Sequence, residues 1–483
     1  MDWLASPDYW LSRFVFQRAL GAVYLVAFLV ALNQFRPLLG EHGLLPVPRY
    51  LRHTSWRGAP TLFRFGYSDR RLLAVAWLGI GLALCATSTL TDRAPLPVCM
   101  LAWLMLWVLY LSIVNVGQVF YSFGWESLLL EAGFLAVFLG SADTAPPLAI
   151  LLLLRWLLFR LEFGAGLIKL RGDRCWRDLT CLDHHHETQP MPNRFSRLFH
   201  HLPRSLHRIE VLGNHAAQLV APPLLFAPQP VAGAAATFMA LTQLWLVASG
   251  NFSWLNALTI ALALSVIDDA WLHHVIPVSH GVTALPLWFG VIALAITALV
   301  LVLSWWPARN MASPRQHMNA SFNSLHLVNT YGAFGTVTRV RNEVIIEGTD
   351  DEVITASTRW RAYEFKGKPG DVRRKPPQVA PYHLRLDWLM WFAAMSPAFG
   401  EAWLMPLVVK LLENDAQTLR LIRGNPFPDA PPTFIRISLY RYRFTTWREH
   451  RQSGDWWLRR RLGLYLQPVR LQPSEAGELA PRP

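Results

Sequence analysis

The chain has 483 residues, 53% hydrophobic and 16% charged, with 22 Trp, 26 Phe, four Cys and a net charge of +13. Soluble domains are about a quarter charged. The apolar excess therefore excludes a disordered chain, the length excludes a single small soluble domain, and so few Cys exclude a disulfide scaffold.

A polytopic membrane protein with a water-facing domain remains. No nucleic-acid-binding motif accompanies the basic residues, so they belong to loops and anionic lipid, and no nucleic acid is expected as a partner.

About 20 mostly apolar residues cross a bilayer as a helix. Such stretches run over 14–34, 72–90, 96–121, 125–141, 148–169, 209–227, 231–250, 252–268 and 284–306. They predict a polytopic α-helical domain of eight to nine transmembrane helices over residues 1–306, eight if 252–268 is interfacial. The start of the chain lacks a basic leader and a small-residue cleavage site, so it does not read as a secretory signal. Loops 35–71 and 170–208 each hold seven Arg, whereas the connections on the other side hold only Arg93. The positive-inside rule makes the Arg-rich face cytoplasmic, and with nine spans the C-terminal domain shares that face.

Ionisable residues inside spans are costly and mark functional candidates. The stretch 148–169 carries Arg155, Arg160, Glu162 and Lys169. Arg155, Glu162 and Lys169 stand seven residues apart, close to two helical turns, and so form one stripe. Such a stripe serves as catalytic machinery, or as an ion-pair network that locks helices together. Glu126 and Glu131 in the preceding stretch are its expected partners.

Residues 169–193 concentrate Lys169, Asp173, Cys175, Cys181, Asp183, three consecutive His (His184, His185, His186) and Glu187. The spacing matches no standard zinc site, and three consecutive His cannot point one way, so no metal is expected. Cys175 and Cys181 either close a short disulfide in an oxidising compartment or pack as small apolar residues. His200, His201, His207 and His215 read as amphipathic interface residues.

Pro307 to Pro314 reads as a linker, and residues 315–470 as a C-terminal α+β or mostly β soluble domain. Within it, 336–348 reads as a strand pair around Asn342, 359–366 as a strand, 383–395 as a buried or interfacial helix, and 401–423 as one or two helices capped by Asp415. Residues 434–445 read as a strand with an Arg-rich outer face, and 456–466 as the last element. The tail 471–483 is expected to lack order. NTYGAFG (329–335) and NPFP (425–428) read as turns. No phosphate-binding loop or triad signature is present.

Five segments carry a wider resemblance: GAGLIKLRGDRCWRDLTCLDHHHETQPMPN (164–193), NTYGAFGTVTRVRNEVIIEGT (329–349), YEFKGKPGD (363–371), PYHLRLDWLMWFAA (381–394) and NPFPDAPP (425–432). They resemble the lipase maturation factor family from about residue 10 to 466. The resemblance implies a multi-pass membrane protein, similar in animals to an endoplasmic-reticulum factor needed for lipases to fold into active dimers. It also implies a lipase-like client and an extracytoplasmic C-terminal domain, against the charge count. The Arg-rich, compact chain looks bacterial, which would place it in an inner membrane. More distantly, AGLIKL (165–170) resembles the helical domain of vitamin K-dependent γ-carboxylase, which implies a base at Lys169 acting in quinone chemistry.

Two functions are therefore expected. The first is a maturation factor or chaperone that holds clients on the aromatic surface around Trp388, Trp391 and Phe392. The second is a membrane-embedded enzyme with a quinone-type lipid cofactor, candidate catalytic residues Lys169, Glu162 and Arg155, and a cavity lidded by 170–193. Its candidate binding residues are Glu126, Glu131, Arg160, Asp173, His184 and His185. Transport is weaker, since no inverted repeat is evident.

Overall fold

The computed structural model describes residues 4–278, 281, 284–472 and 480–482. Among these, five helical segments are long and apolar enough to cross a membrane: Pro7–Leu39, Asp69–Thr87, Leu96–Val114, Val231–Ser249 and Leu287–Ala312. The chain is a multi-pass membrane protein. The element order in its helical part is α1 (Trp10–Leu39), α2 (Asp69–Thr87), α3 (Leu96–Val114), α4 (Gly124–Ala136), α5 (Leu148–Arg171), α6 (Leu182–Thr188), α7 (Arg204–His215), α8 (Val231–Ser249), α9 (Leu255–Leu264) and α10 (Leu287–Leu303).

Four expected spans take other forms. The stretch 125–141 gives the 13-residue α4, too short to cross and buried along its length. The stretch 148–169 gives the 24-residue α5, long enough but interrupted by Arg155, Arg160, Glu162 and Lys169. The stretch 209–227 breaks into the end of α7, a π turn (Ala216–Val220) and Ala221–Leu224. Pro222 and Pro223 cannot donate to a helical ladder, which accounts for the break. The stretch 252–268 holds only the ten-residue α9.

Helix α1 is the central element. Leu11, Phe16, Leu20, Tyr24, Phe28, Val30 and Phe35 are all fully buried. A helix apolar on every side buries every side. Its N-terminus is held by Asp269, whose carboxylate accepts from the backbone amides of Leu11 and Ser12 at 3.0 and 3.2 Å. That carboxylate satisfies amides the helix cannot pair itself and complements the helix dipole.

The C-terminal part is built on a five-stranded antiparallel sheet of order β2-β1-β3-β4-β5. The strands are β1 (Arg341–Thr349), β2 (Arg361–Ala362), β3 (Phe434–Phe444), β4 (Trp457–Gln472) and β5 (Ala480–Arg482). Helix α11 (Arg385–Met395) packs against β1, and α12 (Leu404–Leu412) covers β3 and β4. Asp415 caps the helix that follows, accepting from Thr418 N at 2.8 Å. The expected strand pair around Asn342 is one strand, whose Asn342 stands opposite Arg441 of β3. Its apolar–polar alternation misleads because both faces are covered. Glu343 is buried with Arg341 and Lys368, and Glu347 with Arg436. The expected strand over 359–366 shortens to two residues. Of the expected tail, 471–472 end β4 and Ala480–Arg482 pair with it, while 473–479 and 483 lie outside the described residues.

Candidate functional site

The stripe on α5 is buried, with Arg155, Glu162 and Lys169 at 7%, 2% and 5% exposure. Its partners are neutral groups, and the two glutamates expected to serve it do not reach it. Arg155 donates to the Leu225 carbonyl at 3.1 Å and to the Tyr9 hydroxyl at 2.8 Å. Glu162 accepts from Gln243 at 2.7 Å and from Gln218 at 3.0 Å. Lys169 Nζ donates to Asn214 and Gln218, both at 2.8 Å, and lies over the Trp176 ring. Gln218, in the π turn after α7, thus bridges Glu162 and Lys169. The Lys169 amine, the expected candidate base, is held by two amide oxygens and an indole face.

Glu131 belongs to a second node. Both its carboxylate oxygens face the guanidinium of Arg160, which also donates to the Asn329 carbonyl at 2.7 Å. The same carboxylate accepts from Asn329 N, Asn329 Nδ2 and the Tyr331 hydroxyl at 3.1, 2.9 and 2.7 Å. The NTYGAFG segment, read above as a turn, is therefore a clamp entering the helical part. Farther along it, Asp173 N and Trp176 Nε1 donate to the Gly335 and Phe334 carbonyls, both at 2.8 Å. Gly172 lies so close to the Gly335 carbonyl that a Cβ would collide with it.

Glu126 forms a third node, this one with α11. It accepts from Arg385 Nη1 at 2.8 Å and from the Tyr110 hydroxyl, with His383 beside it. The Arg385 guanidinium also donates to the Phe120 carbonyl and lies 3.4 Å from the centre of the Tyr121 ring. Trp388 is buried against Trp125, Phe123 and His383, and Trp391 donates to the Thr188 carbonyl at 3.1 Å. The aromatic face expected to hold clients is therefore occupied by the protein itself. Exposed apolar side chains of the C-terminal part include Val353, Ile354, Trp447, Leu462 and Leu464, and next to that face Met395 at the end of α11 and Phe399 against Phe392.

The loop after α5 is stapled by a Cys175–Cys181 disulfide. Asp173 caps the turn before it and pairs with Arg339, and that hydrogen bond holds its carboxyl below the usual range. The three consecutive His diverge on α6. His184 is half-buried, His185 packs between Phe252 and Phe334, and His186 faces His207 and Glu210. Burial pushes the His185 imidazole down to about 3, so it is neutral.

The same loop docks on the C-terminal sheet. Arg341, fully buried, donates to the carbonyls of Glu187, Gln189 and Pro190. Arg197 donates to the Thr445 and Thr446 carbonyls, and His201 meets the Thr445 carbonyl at 2.9 Å. His200 and His201 thus sit between loop and sheet. Reading by sequence missed Asn329, Tyr331, Arg341, His383, Arg385, Gln218 and Gln243. The usable signal was a polar residue inside an otherwise apolar run, which applies to Gln243 and Arg385.

Two family profiles match. The one described as Lipase maturation factor transmembrane domain covers residues 11–274, and the one described as Lipase maturation factor C-terminal domain covers 327–467. The chain belongs to the lipase maturation factor family. It is 44% identical to Lipase maturation factor 1 of Bos taurus and 42% identical to that of Homo sapiens, in both cases over 97% of this chain and 91% and 89% of the relative. Lipase maturation factor 2 of Rattus norvegicus is 31% identical over 92% of this chain and 81% of that protein. No solved structure matches. The family's two profiles meet across the clamp: the first holds Glu131, Arg160 and Asp173, and the second begins two residues before Asn329.

Proposed function

We propose that the chain is a membrane-integral lipase maturation factor that assists the folding of secreted or membrane clients of the lipase type. The observation that carries this reading is similarity to proteins named Lipase maturation factor 1 across nearly the whole of both chains. The three buried nodes support a scaffold role. Those of Glu131 and Glu126 fasten the water-facing part to the helices, so that a client bound outside meets a preorganised surface and less binding energy goes into ordering it. The exposed apolar residues Met395, Phe399 and Trp447 are the client-facing candidates. The test is secretion of a lipase from cells with and without this chain, read as enzymatic activity per mass of lipase. Activity independent of the chain, with no lipase co-purifying, overturns the reading.

The C-terminal domain is assigned to the extracytoplasmic side. A disulfide persists in oxidising compartments, and the loop carrying Cys175–Cys181 docks on the C-terminal sheet through Arg197 and Arg341. This outweighs the Arg count, because the positive-inside rule weakens for long structured loops. With 40 Arg among its 45 basic residues, the chain is assigned to a bacterial inner membrane. Eight or nine crossings follow if α5 and the shorter apolar helices traverse it together with their neighbours. The likeness of AGLIKL to γ-carboxylase is read as a shared helical scaffold, with Lys169 in a packing role, held by Asn214 and Gln218.

A further inference from the structure

Sequence spacing argued against a metal at the three consecutive His, yet the fold brings one of them to a different partner set. His186 of α6, with His207 and Glu210 of α7, offers two imidazole nitrogens and a carboxylate oxygen within 4.8 Å of one another. His207 and Glu210 stand three residues apart, so α7 presents them on one face. His186 is 3% exposed and the Glu210 side chain 9%. Both ring nitrogens of His186 and Oε2 of Glu210 lack any hydrogen-bond partner. Buried polar groups are nearly always satisfied, and each orphan costs free energy. Nε2 of His186 and Oε2 of Glu210, 3.7 Å apart on two helices and both without a hydrogen bond, point to a missing common partner.

The surroundings are those of a ligand set. Asp183 Oδ1 lies 3.1 Å from Nδ1 of His207, and Trp245 Nε1 donates to the other Glu210 oxygen at 2.7 Å. A carboxylate on the far nitrogen of a ligating His and a donor on the free oxygen of a ligating carboxylate are the outer contacts that orient metal ligands. With Nδ1 donating to Asp183, Nε2 of His207 is the nitrogen left for an ion, which takes the place of the contact to the Phe199 carbonyl.

We propose that His186, His207 and Glu210 bind a divalent transition-metal ion, with zinc as the ion the donors suit. Two nitrogens and one oxygen are too few oxygen donors for calcium or magnesium. They match the three-ligand zinc pattern that leaves a fourth position for water. Bonds of about 2.0–2.1 Å bring tetrahedral ligands to about 3.3 Å apart, so the side chains close by no more than about 1.5 Å. The ion ties α6, directly after the disulfide, to α7, which runs on into Gln218 and the α5 network. This inference is independent of the maturation reading.

The test uses the full chain purified in detergent, stripped with a chelator and titrated with Zn²⁺ alone, then with Co²⁺. The expected result is one equivalent of zinc per chain and a cobalt adduct with tetrahedral d–d absorption. Glu210→Gln and His186→Asn weaken binding by about 10-fold or more, Asp183→Asn by about 10-fold, and His184→Asn leaves it unchanged. A wild-type chain that takes up no zinc, or shows no tetrahedral cobalt bands, overturns the proposal. So does a folded Glu210→Gln that binds zinc like wild type. Should a ligand variant fail to accumulate, the cobalt spectrum of the wild-type chain decides alone.

Discussion

The contact between Glu126 and Arg385 joins residues 259 positions apart and fastens α11 to the helical domain. Both side chains are essentially without solvent exposure. Glu126→Gln keeps the shape and removes the charge, leaving the Arg385 guanidinium buried without a counter-ion. Its remaining contacts are the Phe120 carbonyl at 2.7 Å and the Tyr121 ring, while Nε and Nη2 have no partner. Removing one member of a buried pair costs about 3–5 kcal/mol. At about 2–4 °C per kcal/mol for a domain of 150–250 residues, the apparent unfolding midpoint falls by roughly 6–20 °C. The assay is thermal unfolding of the purified full chain in detergent, read separately by tryptophan fluorescence and by proteolysis within 307–314. The double variant Glu126→Gln/Arg385→Met recovers part of the loss, because no unpaired charge remains. A Glu126→Gln midpoint within a degree or two of wild type, or a double variant as unstable as the sum of the singles, refutes the reasoning.

Other perturbations have equally definite outcomes. Burial pushes the His326 and His383 imidazoles down to about 4, while the unfolded chain titrates near 6.5. The unfolded state therefore binds more protons between about pH 6.5 and 4, and acidification from pH 7 to 5 removes about 2 kcal/mol per His. A flat unfolding midpoint over that range, in wild type and in His326→Gln alike, would falsify this. Reducing the Cys175–Cys181 staple costs about 2 kcal/mol on the loop-entropy argument, measurable as a lower midpoint after dithiothreitol, with Cys175→Ser/Cys181→Ser no longer responding. Lys169→Met leaves the oxygens of Asn214 and Gln218 unpaired, so it lowers stability by about 1–3 kcal/mol, while the activity of secreted client lipase per folded molecule of the chain stays at wild type. Complete loss of that activity in a normally folded Lys169→Met chain would restore a catalytic lysine. Gly133→Ala drives a methyl into the Tyr24 hydroxyl and costs about 1–3 kcal/mol. Gly213→Ala, on α7 with open space around it, gains about 0.5–1 kcal/mol; equal midpoints for the two variants would contradict the packing.

Much of the architecture was legible in local pattern. The five segments apolar enough to span follow from hydropathy because in lipid every backbone polar group must be satisfied within the helix. The helix over 383–395, the Asp415 cap and the strand over 434–445 follow from periodicities that neighbouring residues impose on one another. The stripe of Arg155, Glu162 and Lys169 followed from helix geometry alone. Where neighbours interrupt the pattern, legibility failed: the prolines at 222 and 223 broke an expected span, and buried Glu343 and Glu347 imitated a solvent-facing strand edge.

Partners were decided only by tertiary structure. Scarcity of charge in the apolar half, visible in composition, marked which residues would be buried, and burial obliges each to find a counterpart. It does not say which one. Glu126 found Arg385 across the domain boundary, Glu131 found Arg160 and the Asn329–Tyr331 segment, and Lys169 found the amides of Asn214 at the end of α7 and of Gln218 in the turn after it. His186 parted from His184 and His185 to face His207 and Glu210. Hydropathy depends on each residue's own transfer from water, whereas pairing depends on which side chains the folded chain brings within a few ångströms.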